Sequence, residues 1–106
     1  MSQEFQFAAN TKDLKDGEKI LVEVDDQLLI IFQVGETYFC LDDVCTHDGG
    51  TLSDGALDGH EIACPRHGAK FDIRCGKALS MPATQATGSH EVKVDGEKIL
   101  VKVAEG

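Results

Sequence analysis

The stretch His90–Val103, "HEVKVDGEKILVKV", holds two β-rich runs on either side of Asp95-Gly96. Apolar and β-branched residues alternate with charged ones, and an Asp-Gly pair tolerates the φ angles of a tight hairpin. The same grammar runs through the rest of the chain. "EFQFAA", "KILVEV", "LLIIFQV", "TYFCLD", "HEIAC" and "AKFDI" are short runs of strand character. Turn-forming pairs separate several of them: Asp25-Asp26, Gly35-Glu36 and Asp58-Gly59. Only "NTKDLKDG" has a helical look, one or two turns with Asn10 or Thr11 as its cap. Eight short strands and almost no helix predict an all-β fold, an antiparallel β-sandwich or partly open barrel.

The 106 residues suit one domain and are too few for two independent cores. Hydrophobic residues make up 42% of the chain; with five Phe, one Tyr and no Trp, aliphatic side chains must carry the packing. Nineteen acidic residues against ten Lys and Arg give a formal charge of −9. That balance argues against nucleic acid and against an anionic membrane face, and favours a partner with a basic docking patch. The first residues, "MSQEFQFAANTKDLKDGEK", lack a basic segment followed by an apolar run of signal length. The longest apolar run, Leu28–Phe32, is too short to cross a bilayer. A cytoplasmic protein is expected, and there four cysteines point to metal ligands or core thiols before disulfides.

Two loops carry the chemistry. Cys45 and His47 follow "TYFCLD"; sixteen residues separate His47 from Cys64, which ends "HEIAC", and His67 lies in the turn before "AKFDI". Singly, each would be a core thiol or a surface imidazole. Two Cys–His pairs, each beside loop-forming Gly or Pro, suggest one metal site at the end of a rigid β scaffold. Zinc accepts two Cys and two His, but its modules usually pair like with like. Blue copper would leave one cysteine unused. The crossed arrangement, one thiol and one imidazole from each loop, fits two irons, with the thiolates on one and the imidazoles on the other.

Cys45-Thr46-His47 and Cys64-Pro65-Arg66-His67 together resemble the C-x-H…C-x2-H signature of Rieske 2Fe–2S proteins. The likeness to Rieske-type ferredoxins runs through "GETYFCLDDVCTHDGGTLSDGALDGHEIACPRHGAKFDIRCGKAL". It implies a single Rieske domain over residues 1–106, with cluster-binding loops at about 43–73 and one 2Fe–2S cluster. It also implies that Cys45 and Cys64 ligate one iron while His47 and His67 ligate the other. Gly49, Gly50 and Gly68 would then let backbone N–H groups approach the cluster, with Pro65 stiffening the second loop.

Respiratory-chain Rieske proteins carry a further cysteine in each loop, where this chain has Gly50 and Arg66, so their disulfide has no counterpart. They also place Ser and Tyr hydroxyls beside the cluster, where Ala69 and Phe71 stand here. Two donors that favour the reduced state are therefore missing, and a midpoint near the low end of the Rieske range, about −150 mV, is expected. The other thiols read as a core residue (Cys40) and an exposed turn residue (Cys75), with a Cys40–Cys75 disulfide disfavoured; His60 and His90 read as surface residues beginning strands.

The resemblance implies a soluble one-electron carrier, not an enzyme in itself, passing electrons from a flavoprotein reductase to a terminal oxygenase of the aromatic-ring dioxygenase type. A monomer is sufficient for that task. Alternatives are the small subunit of assimilatory nitrite reductase, a ferredoxin serving iron–sulfur assembly, or a structural zinc domain.

Overall fold

A computed structural model describes residues 5–43, 52–65, 68–79 and 86–103. Nine antiparallel strands are found in it: β1 (Gln6–Asn10), β2 (Lys19–Val24), β3 (Gln27–Val34), β4 (Thr37–Asp42), β5 (Leu57–Asp58), β6 (Glu61–Ala63), β7 (Lys70–Asp72), β8 (Ser89–Asp95) and β9 (Lys98–Lys102). Six form one sheet in the order β1-β9-β8-β4-β3-β2, and β5-β6-β7 form a second, smaller one. The edge strands β1 and β2 lie side by side, so the large sheet nearly closes on itself. The expected all-β, partly open barrel is what the chain adopts, with β5–β7 forming a small second sheet.

The run Leu29–Phe32 is apolar without alternation because β3 is buried on both faces. Ile30 and Phe32, with Leu41 of β4, face the small sheet and meet Leu52, Ile62, Ala69, Phe71 and Ile73. Leu29 and Ile31, with Cys40, face the barrel interior and meet Val24, Ile99 and Val101. The second face explains why the C-terminal hairpin keeps Ile99 and Val101 inward while Lys98, Leu100 and Lys102 alternate with them.

Local signals mostly fall where the residues put them. The helical segment is a single 3-10 turn, Thr11–Asp13, and the Asp13 carboxylate accepts a 2.9 Å bond from the Asn10 N–H. Asp25-Asp26 and Gly35-Glu36 form hairpin tips, bracketed by Val24↔Gln27 and Val34↔Thr37. The other two tips are shifted by one residue: Asp58 pairs with Glu61 and Asp95 with Lys98, which leaves Gly59-His60 and Gly96-Glu97 at the turns. Both glycines adopt positive φ there, 63° and 65°. β5 is a ninth strand beyond the expected eight, and its two residues are too few to show a period. No helix among the described residues is long and apolar enough to span a membrane.

Asp25 and Asp26 both sit at positive φ, 54° and 64°, the conformation of a type I′ turn. Replacing them by Asn-Gly removes part of that backbone cost. The double variant is expected to gain about 1 kcal/mol, read as a higher urea midpoint at unchanged slope.

Candidate metal centre

The two candidate loops begin at strand ends, the first after β4 and the second after β6. The second starts at Cys64, directly after β6. Its N–H donates to the Ala69 carbonyl at 2.7 Å, and its own carbonyl accepts from Gly68 N–H at 2.9 Å. Gly68, at φ 75°, supplies the left-handed step that turns the chain back into β7. The Cys64 residue is only 2% exposed and packs in the core shared with Leu52, Ala69 and Phe71.

The first loop is closed by one carboxylate. Asp43, just past β4, accepts from the backbone N–H of Leu52 and of Ser53, both at 2.8 Å, through Oδ1. Its Oδ2 accepts from the Ser53 hydroxyl at 3.2 Å. Asp43 and Leu52–Ser53, the residues that flank this segment, are thereby tied to each other. The returning chain is then pressed against β6: Ala63 N–H donates to the Ala56 carbonyl, and a Cβ on Gly55 would sit 1.8 Å from the Ala63 carbonyl oxygen. Only glycine fits at position 55, against the carbonyl of the residue just before Cys64.

Of the expected ligands, Cys64 stands where the second loop begins; Cys45, His47 and His67 lie outside the described residues, as do Gly49, Gly50 and Arg66. Among the described residues no three Cys, His, Asp or Glu side chains converge on a common point. The described residues fit an inorganic cluster in two respects. A thiol sits at the lip of a buried apolar wall, and the ends of the segment bearing Cys45 and His47 are held against the strand that delivers it. Ala69 and Phe71 belong to that same wall and are fully buried, so the two hydroxyl-free positions do face the interior.

The remaining candidates separate cleanly. Cys40 is buried in β4; burial first, and the nearby Asp42 charge second, push its thiol up to about 12, so it stays protonated. Cys75 is exposed in the turn after β7, and both thiols are free. Next to it the Arg74 guanidinium grips Asp72 (2.9 and 3.0 Å) and holds that carboxyl below its usual range. His60 lies in the β5–β6 turn, not at a strand start, and its ring meets Phe39 edge-on at 5.7 Å. His90 departs from expectation: it is no surface residue. Its side chain is 3% exposed and its Nε2 lies 2.7 Å from Asp42 Oδ1. Asp43 was not singled out by its sequence context either, although an Asp at a strand-to-loop junction is a frequent acceptor for downstream N–H groups.

The Rieske 2Fe-2S domain family matches residues 4–95, and the chain belongs to that family. Its cofactor is accordingly a Rieske-type 2Fe–2S cluster. The ferredoxin component of the naphthalene 1,2-dioxygenase/salicylate 5-hydroxylase systems of Ralstonia sp is 33% identical over 103 residues, spanning 97% of this chain and 99% of that one. The ferredoxin of carbazole 1,9a-dioxygenase from Nocardioides aromaticivorans IC177 superposes with a TM-score of 0.90 at 27% identity, over 94% of this chain and 98% of its own. A chain from the complex of reduced oxygenase and oxidized ferredoxin in carbazole 1,9a-dioxygenase gives 0.87 at 32% identity, over 98% and 100%.

Asp43→Ala deletes three hydrogen bonds that close the first loop. It is expected to cost about 3 kcal/mol of unfolding free energy and to lower iron per chain in the purified protein. Asp43→Asn keeps one acceptor oxygen and should fall between the two, as read by urea unfolding and iron analysis.

Proposed function

We propose that this chain is a soluble one-electron carrier, a Rieske ferredoxin that receives electrons from a flavoprotein reductase and delivers them to a terminal oxygenase of the aromatic-ring dioxygenase type. The observation that carries the reading is the end-to-end relation to a ferredoxin component, 97% of this chain against 99% of that one. It favours the carrier over a nitrite reductase subunit, an iron–sulfur assembly ferredoxin or a zinc staple. A single cytoplasmic domain acting as a monomer suffices, and the acidic surface suits partners with basic docking faces.

Within this reading Cys45 and Cys64 supply thiolates to one iron, and His47 and His67 supply imidazoles to the other. The bound cluster gives the chain one-electron redox chemistry at neutral pH. The protein's share is placement and tuning. Asp43 ties together the two flanks of the first loop, Gly55 lets the returning chain pack on β6, Gly68 leads into β7, and the buried wall keeps water from the thiolate side. Two imidazoles in place of two thiolates make the site less negative than a four-cysteine one, which favours accepting an electron. Ala69 and Phe71 pull the other way by offering no hydroxyl.

The purified protein is expected to be red-brown, to contain two irons per chain, and to show a rhombic EPR signal when reduced. Cys64→Ser should abolish all three. A colourless protein with one metal ion per chain would overturn the proposal.

The tuning has its own test. The wild-type midpoint is expected at about −150 mV, and Ala69→Ser with Phe71→Tyr is expected to raise it in protein-film voltammetry. A pair that leaves the midpoint unmoved would show that hydroxyls at these positions do not reach the centre.

A further inference from the structure

We propose that His90 is a positioning residue for the first ligand loop, acting through Asp42; the inference rests on the cluster reading above. Asp42 is the last residue of β4, three residues before Cys45. The large sheet is joined there by its shortest ladder: β4 and β8 share only two register pairs, Cys40↔His90 and Leu41↔Ser89. One more backbone bond, Asp42 N–H to the Gly88 carbonyl at 2.8 Å, extends it to the root of the loop.

Side chains complete what the ladder leaves short. The His90 imidazole, 3% exposed, meets the Asp42 carboxylate at 2.7 Å, while Asp42 itself remains 33% exposed. A Cβ on Gly88 would lie 2.2 Å from Asp42 Oδ2, so the backbone immediately before β8 packs directly against the carboxylate. The carboxylate is thus wedged between the glycine backbone and the imidazole. Removing the imidazole leaves Asp42 without its short partner and free to turn to solvent, so the end of β4, three residues before Cys45, loses its side-chain tie to β8. A hydrogen bond to a charged group in a largely buried setting resists that rotation far better than a surface pair would.

The test uses cluster-loaded protein and four variants: His90→Phe, His90→Gln, Asp42→Ala and the double variant His90→Phe/Asp42→Ala. Iron release to a ferrous chelator, the EPR g values of the reduced protein and urea unfolding are measured on each. His90→Phe is expected to release iron about threefold faster or more, with displaced g values, as suits partners in direct contact. His90→Gln keeps an N–H donor at the Nε2 position and should recover most of the loss. The double variant should be no worse than His90→Phe alone.

Wild-type g values and iron release in His90→Phe, whatever its urea midpoint, would overturn the inference, because a merely structural imidazole shifts stability alone. Additive losses in the double variant would overturn it equally. Should His90→Phe fail to fold, Asp42→Asn, the same size without the charge, must show intermediate iron release; wild-type release there is again a refutation. A wild-type protein with no two-iron cluster removes the cluster reading itself, whereas a normal wild type beside an indifferent His90→Phe removes only this inference.

Discussion

A strand buried on both faces needs a cover on each, and β3 sets that demand. Ile30 and Phe32 require an apolar layer on one side; Leu29 and Ile31 require another on the opposite side. The first is met by β5–β7 with Leu52, the second by the C-terminal hairpin with Val24. Burial of these side chains, each worth about 1.5–3 kcal/mol, outweighs any single polar contact in the molecule. The small sheet is therefore not an appendage to the barrel. It is pinned to it by the same wall from which Cys64 emerges, so the place where the second candidate loop begins follows from the packing of β3.

Much of this was legible because its signals are local. Asp-Gly, Gly-Glu and Asp-Asp between apolar runs marked four hairpins, and the ligand spacing marked the family. The misplacements were also local in origin. At Asp58 and Asp95 the glycine, not the aspartate, takes the first tip position, because positive φ is what the turn demands and glycine meets it at least cost. β5 has two residues and exists by pairing with Ile62 and Glu61, a contact invisible from Leu57-Asp58 alone.

The side-chain ties escaped for a different reason. His90 stands in a stretch of alternating polarity where a histidine beside Glu91 looks solvated. Its burial depends on β8 crossing to β4, a pairing between residues almost fifty positions apart. Asp43 looks like one more acid in an acidic chain. What distinguishes it is the return of Leu52 and Ser53 to within 2.8 Å of one oxygen. Composition counts such carboxylates as surface charge, and only the fold shows which are spent inside.

Asp42 and Asp43 make the division of labour at the loop root physical. Successive side chains of a strand point to opposite faces. Asp42 shares the face of Cys40 and reaches β8; Asp43 shares the face of Leu41 and reaches the segment returning at Leu52. Two adjacent acids thereby fasten the start of one loop to both halves of the molecule. An electron carrier benefits from that arrangement, since a centre whose ligands move little between oxidation states exchanges electrons with little reorganisation. Carboxylates held by hydrogen bonds supply stiffness at the loop root without a disulfide. The positions matching the cross-loop cysteines of respiratory-chain Rieske proteins, Gly50 and Arg66, show that this chain does not use one. Stiffness comes instead from the end of β4, where Asp42 closes the strand and Asp43 follows it, and so again from the packing around β3.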